Sequence, residues 1–242
     1  MEKKRINHNK LTLVILVILL ITVLGMIIKI SAKIKKQDNI AKTEIKNEIS
    51  GKKAKTSSEL DWQLMLVNPE NKLPDNYEIT LENIDEYRKF DSRAIQYLKN
   101  MIDDMRKQQA GGIWVQSSYR SVEEQTKIYN NKVQYYKNMG KRTEEAKRLT
   151  EEIISRPGYS EHNLGLAVDF NYVNNSFEST KEFEWLKQNA EDYGFVLRYP
   201  KEKENITKMS YEPWHWRYVG EENAKKMRSL GVCLEEYIDY IS

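Results

Sequence analysis

Cysteine and histidine are scarce in this chain of 242 residues. The single cysteine, Cys233, excludes an intrachain disulfide and a cysteine-rich metal site. The missing disulfides do not place the chain in a reducing compartment, because a domain of this length can build its own core. Charge is nearly balanced, 39 Lys and Arg against 36 Asp and Glu. So weak a basic excess does not point to nucleic acid as a partner. No internal repeat is visible, and the length allows one domain of ordinary size plus extensions.

What is there begins with the histidines. His8 lies in a charged N-terminal tail, leaving only His162 and His215. Each has a carboxylate close by in sequence, Asp169 after His162 and Glu212 before His215. Two histidines and one carboxylate are a common ligand set for a catalytic zinc that keeps one coordination position open. The remaining carboxylate is then free to act as a base.

The N-terminal part reads as an anchor and a tether. Residues 1–10 form a basic tail with Lys3, Lys4, Arg5 and Lys10. Residues 11–30 carry an apolar run interrupted only by Thr12, Thr22 and Gly25 before Lys29. That run approaches the ~20 residues needed to cross a bilayer core. No Ala-x-Ala site follows it and no cysteine ends it, so an uncleaved transmembrane signal anchor is expected, not a lipoprotein. The basic flank keeps the N-terminus cytoplasmic and puts everything after Lys29 outside the cell membrane. Residues 31–58 are rich in Lys, Asn, Glu and Ser, too polar to offset ordering entropy. They are expected to form a flexible tether whose lysines can meet anionic lipid headgroups or wall polymers. The globular domain is expected over residues 59–242.

Within that domain, residues 62–67 read as a strand ended by Asn68 and Pro69. Asp91 reads as the N-cap of a helix to about Gln108, with Ile95, Leu98, Ile102 and Met105 on one face. Residues 113–117 read as a strand. Ser121 with Glu124 predicts a capping box at the start of a second helix, with Tyr129, Val133 and Tyr136 as its buried stripe. Residues 143–154 predict another helix, stopped by Pro157 and Gly158. Strands are expected over 166–170, 195–197 and 214–219, and helices over 180–193 and 221–230. His162 is expected on a loop turned by Gly165. Alternation puts Leu166, Val168 and Phe170 on one face of their strand and Ala167 and Asp169 on the other. It likewise sets His215 and Arg217 opposite Trp214, Trp216 and Tyr218. Short strands among helices predict an α+β domain with a small antiparallel sheet and helices packed on it.

Three segments carry a family resemblance. Ser160-Glu161-His162-Asn163-Leu164-Gly165-Leu166-Ala167-Val168-Asp169 resembles the S-x-H-x-x-G-x-A-x-D motif of zinc D-alanyl-D-alanine carboxypeptidases of the VanY type. Glu212-Pro213-Trp214-His215 resembles their E-x-W-H motif. Ser117-Ser118-Tyr119-Arg120-Ser121 with Gln125 resembles a segment found upstream in the same family. The resemblance implies the sheet-and-helix fold shared with lysostaphin-type peptidases and the hedgehog signalling domain. It implies that His162, Asp169 and His215 hold Zn2+, that Glu212 is the general base, and that Arg120 meets the substrate or the oxyanion. With that role for Arg120, a free terminal carboxylate is the expected group to be gripped, with Gln125 and Ser160 as neutral helpers. Trp214 and Trp216 are expected in the core, with one of them able to wall the pocket.

The activity this implies is removal of the C-terminal D-alanine from peptidoglycan stem peptides, by a monomer. An L,D-carboxypeptidase acting on the tetrapeptide stem is the alternative, since related enzymes share these motifs. Leu66-Val67-Asn68-Pro69 followed by Leu73-Pro74 resembles an N-terminal pattern of both groups. A non-catalytic wall-binding module would have lost the base or a ligand, and all four residues are present.

Overall fold

Two strands with opposite faces of opposite character organise the domain. The computed structural model describes residues 62–242, together with Gly25, Met26, Lys29 and Lys33. Apart from those four residues, the expected tail, anchor and tether lie outside the described residues. Among the described residues no helix is long and apolar enough to cross a membrane.

The elements, in chain order, are β1 (Leu81–Asn83), β2 (Lys89–Asp91), α1 (Ile95–Lys107), β3 (Val115–Ser117), α2 (Val122–Asn138), α3 (Thr143–Glu151), α4 (Glu161–Leu164), β4 (Ala167–Phe170), α5 (Lys181–Asn189), β5 (Phe195–Leu197), α6 (Glu204–Thr207), β6 (His215–Tyr218), α7 (Glu221–Leu230) and α8 (Leu234–Ile241). β1 and β2 pair as a small antiparallel hairpin. The central sheet has the order β3-β4-β6-β5, antiparallel throughout. This is the α+β architecture expected from the sequence.

Register decides what each face carries. Asp169 stands opposite His215, Val168 opposite Trp216 and Ala167 opposite Arg217. Ser117 stands opposite Asp169 on the other side. Because side chains alternate, Val168, Phe170, Trp216 and Tyr218 share a face, and they pack into a core with Phe195 and with Leu98, Met101, Ile102 and Met105. Ser117, Asp169, His215 and Arg217 share the opposite face, a polar row across the middle of a sheet whose β4 and β6 are fully buried.

Several expectations need correction. Residues 62–67 are not a strand. Trp62–Leu64 is a turn of 3-10 helix, and the Gln63 and Met65 carbonyls accept from the Arg217 guanidinium at 3.0 and 3.1 Å. A side chain far along the sequence takes the place of a strand neighbour. Asp91 is not a helix cap. It ends β2, its side chain accepts from the backbone N–H of Arg93 at 2.9 Å, and α1 begins after Ala94 with no side-chain cap. The apolar face of α1 is as expected. The capping box of Ser121 and Glu124 forms, but Tyr129, Val133 and Tyr136 are only half-buried, and Gln125 is the buried side chain of α2. That helix packs chiefly on α3, so it has no wide core to face. Helix α3 ends at Glu151. His162 sits on the short helix α4, not on a loop. The β1–β2 hairpin and helix α8 are additions that the sequence reading did not contain.

Candidate active site

Helix α4 is short because both of its ends are fixed within a few residues. The Ser160 hydroxyl accepts from the His162 N–H at 3.3 Å, and Gly165 ends the helix with φ 77°. Glycine suits the left-handed backbone there, and a Cβ would lie 2.2 Å from Ile79 Cδ1, so that side chain would have to shift. These ends aim His162 at Asp169 on β4. The β4–β6 register brings His215 to the other side of the same carboxylate.

The contacts are short. His162 Nε2 lies 3.1 Å from Asp169 Oδ2, and His215 Nδ1 lies 2.9 Å from Asp169 Oδ1. The imidazole rings stand nearly perpendicular, with centroids 5.0 Å apart. Glu212 Oε2 is 3.6 Å from His215 Nδ1. His162 Nδ1 lies 2.7 Å from the Ser118 carbonyl oxygen. A carbonyl only accepts, so Nδ1 carries the proton and Nε2 presents its lone pair.

The residues fit a zinc ion on these grounds. One ligand atom each from His162, Asp169 and His215 lies within 4.8 Å of the others, all three residues being buried. Two imidazole nitrogens and a carboxylate oxygen are a donor set zinc favours, and they leave a fourth position open.

Arg120 is held beside the ligands from three directions. It donates from Nη2 to Asp169 Oδ2 at 3.1 Å, from Nε to Ser117 Oγ at 2.9 Å and from Nη1 to Gln125 Oε1 at 2.8 Å. Gln125 is fixed in turn by donating to the Ser155 carbonyl at 2.7 Å. A guanidinium has five N–H donors, so two remain for a ligand. Arg120, Gln125, Ser160, His162, Asp169, Glu212 and His215 all line one cavity of about 560 Å³. Every site residue expected from the sequence is therefore brought together. Trp214 walls this cavity, whereas Trp216 belongs to the core.

Burial and neighbouring charge set the protonation of the metal-free site. Burial, aided by Arg120, pushes His162 down to about 4 despite Asp169. Burial works against the charge on His215 too, but the hydrogen bond to Asp169 and the nearby Glu161 carboxylate outweigh it and raise the group to about 9. Burial would raise Asp169, yet His162 and His215 hold it well below the usual carboxylate range. Glu212 is pushed up to about 8, first by burial and then by Asp169. A buried carboxyl raised to near neutrality is suited to taking and returning a proton.

Behind the site lie three buried charges, of which Glu161 and Arg198 were given no role from the sequence. Glu161 accepts from Arg198 Nε at 2.7 Å and from Arg217 Nη1 at 2.9 Å, all three fully buried. Arg217 was expected on the face of His215. An arginine facing inward beside a metal ligand needs a carboxylate, and that requirement was the available signal for Glu161.

Residues 87–221 match the family model VanY: D-alanyl-D-alanine carboxypeptidase. The chain is 41% identical over 183 residues to a D-alanyl-D-alanine carboxypeptidase of Enterococcus faecalis, covering 75% of this chain and 67% of the relative. The solved structure of a vancomycin resistance D,D-pentapeptidase VanY mutant in complex with Zn(II) superimposes with a TM-score of 0.67 at 41% identity, covering 74% of this chain and 99% of that one. The LdcB LD-carboxypeptidase superimposes with a TM-score of 0.63 at 36% identity, over 74% of this chain and 87% of that one.

Proposed function

The chain belongs to the VanY family of D-alanyl-D-alanine carboxypeptidases, and from that premise we propose how its residues divide the work. The protein is a zinc-dependent D-alanyl-D-alanine carboxypeptidase, and its substrates are peptides ending in D-Ala-D-Ala. His162, Asp169 and His215 would hold the zinc. The observation that carries this is the single buried carboxylate of Asp169 bridging two imidazole nitrogens at 3.1 and 2.9 Å. Zinc bound there supplies a Lewis acid that acidifies water to a pKa of ~7 and polarises a carbonyl.

The rest is the work of this chain's own groups. Glu212, close to the ligands but outside the metal set, takes the proton of the attacking water on its carboxylate. It then delivers that proton to the amine nitrogen of the departing D-alanine as the peptide C–N bond breaks. Hydrolysis thus consumes one water and leaves a new carboxylate on the shortened stem. Arg120, prevented from swinging away by Ser117, Gln125 and Asp169, turns its two spare N–H groups to the oxyanion or to the terminal carboxylate. Gln125 holds Arg120 in place, and Ser160 lines the same cavity as a neutral hydroxyl.

The apolar run of residues 11–30 and its basic flank support a single-pass membrane anchor with the catalytic domain outside the cell, beside peptidoglycan. Full-length protein found free in the cytosol with an intact N-terminus would refute that placement.

The stem peptide that is cut is tested by mass measurement after the purified chain is incubated with a pentapeptide stem and a tetrapeptide stem. Loss of one alanine from the pentapeptide, well ahead of the tetrapeptide, is the expected result. Cleavage of the tetrapeptide alone would favour the L,D reading, for which the likeness to LdcB speaks. Cleavage of neither would overturn the enzymatic assignment.

A further inference from the structure

Behind the ligand set lies a carboxylate whose geometry exceeds what its ion pairs need. Glu161 Oε1 accepts from both Arg198 and Arg217, at 2.7 and 2.9 Å. Glu161 Oε2 is buried and has no hydrogen-bond partner, and neither has His215 Nε2. These two atoms face each other at 3.6 Å. We propose that Glu161 is a positioning residue for His215: its free oxygen takes the Nε2–H, which turns the Nδ1 lone pair to the zinc.

A plain arginine partner would use both oxygens. Arg–carboxylate pairs favour the bidentate fork, and Arg198 does form that fork, but with Glu235, at 2.9 and 2.7 Å. Arg198 and Arg217 both approach Glu161 on Oε1 and leave Oε2 uncovered on the side of His215. Oε2 is therefore left facing His215 Nε2 across 3.6 Å, with no hydrogen-bond partner of its own.

The two metal-binding histidines then follow one plan. His162 gives its outer N–H to the Ser118 carbonyl and keeps Nε2 for the metal. His215 gives its outer N–H to Glu161 and keeps Nδ1. An outer acceptor fixes the tautomer and the ring plane and raises the ligand's basicity. Glu161 and His162 are neighbours on helix α4. One turn of helix thus supplies a ligand and the group that aims another ligand, which arrives from β6.

This inference rests on the ligand set proposed above, and its test separates the two. Glu161→Gln keeps the size of the side chain. Arg198 and Arg217 would hold the amide oxygen in the place of Oε1, which turns the NH2 group to His215 Nε2. A donor there favours the tautomer with the proton on Nδ1, and that tautomer cannot bind a metal through Nδ1. Glu235→Gln is the control, since it also removes a carboxylate from Arg198 but does not touch His215. Zinc affinity of the purified full chain, measured by competition with a chromogenic chelator, should fall ~10–100-fold in Glu161→Gln. Glu235→Gln should lower the melting temperature and leave zinc affinity near that of the wild type. Equal zinc affinity in the two variants would overturn the proposal. Should Glu161→Gln fail to fold, the side-chain 15N spectrum of zinc-loaded wild-type protein decides: the His215 proton should sit on Nε2, and a bare Nε2 would refute the idea. Wild-type protein that takes up no zinc would bring down the ligand set itself, and this inference with it.

Discussion

Glu212 and His215 differ from ordinary members of their residue types, and the difference can be measured. In the metal-free protein His215, raised to about 9, carries an extra proton at neutral pH, and Glu212, raised to about 8, is mostly protonated. His162, lowered to about 4, is already neutral. Zinc needs the Nδ1 lone pair of His215, and a dication lowers the pKa of a nearby carboxyl. Loading at pH 7 should therefore release up to roughly two protons per zinc. The number should fall as pH rises through 8 and 9, where both groups lose their protons unaided. Calorimetry in buffers of different ionisation enthalpy reads this count, and zinc uptake with no proton release at pH 7 would contradict the assignment. A second expectation concerns the base. Glu212→Gln should keep zinc and fold, while turnover falls by ~10²–10⁴-fold. Near-normal kcat would remove Glu212 from the mechanism. At this level most of the site was legible, because a chain with so few histidines places two of them in independent motifs. Glu161 was not, because its importance lies in which oxygen Arg198 and Arg217 leave uncovered, and pattern alone carries no such information.

The short elements owe their shape to single residues. Helix α4 exists between the Ser160 cap and Gly165, and Gly165 has a left-handed backbone and the tip of Ile79 where a Cβ would be. Gly165→Ala should cost ~1–3 kcal/mol of stability in denaturant titration. It should also weaken zinc binding, since the same turn holds His162. Unchanged stability would mean that the turn relaxes freely. The strands β4 and β6 could be read in advance because alternation is a local property: Asp169, His215 and Arg217 fell on the faces expected. Asp91 could not. An aspartate before an apolar-periodic run resembles a cap, but pairing with β1 keeps residues 89–91 extended and delays the helix. The half-buried tyrosines of α2 mislead for a related reason. Aromatic spacing reveals a face, but not how much of the molecule lies against it.

Across the domain, buried charge ties distant segments to the site. Arg217 joins the carbonyls of Gln63 and Met65 to Glu161 on α4. Arg198 joins Glu161 to Glu235 on α8, and Glu235 accepts from Asn68 at 3.0 Å. Both ends of the described domain therefore close on the back of the metal site, which explains why residues 62–67 are not a strand. Arg198→Met should destabilise by ~3–5 kcal/mol, because it removes the buried cation that Glu161 and Glu235 share. A much smaller loss in thermal or chemical unfolding would show that water reaches them. The direct test of zinc carboxypeptidase activity uses the intact protein. Purified full chain would be assayed for metal content and for D-alanine release from a pentapeptide stem, then stripped with a chelator and reloaded. About one zinc per chain, loss of release on stripping and recovery on adding zinc are the expected results. D-alanine release at an undiminished rate by verified metal-free protein would contradict it.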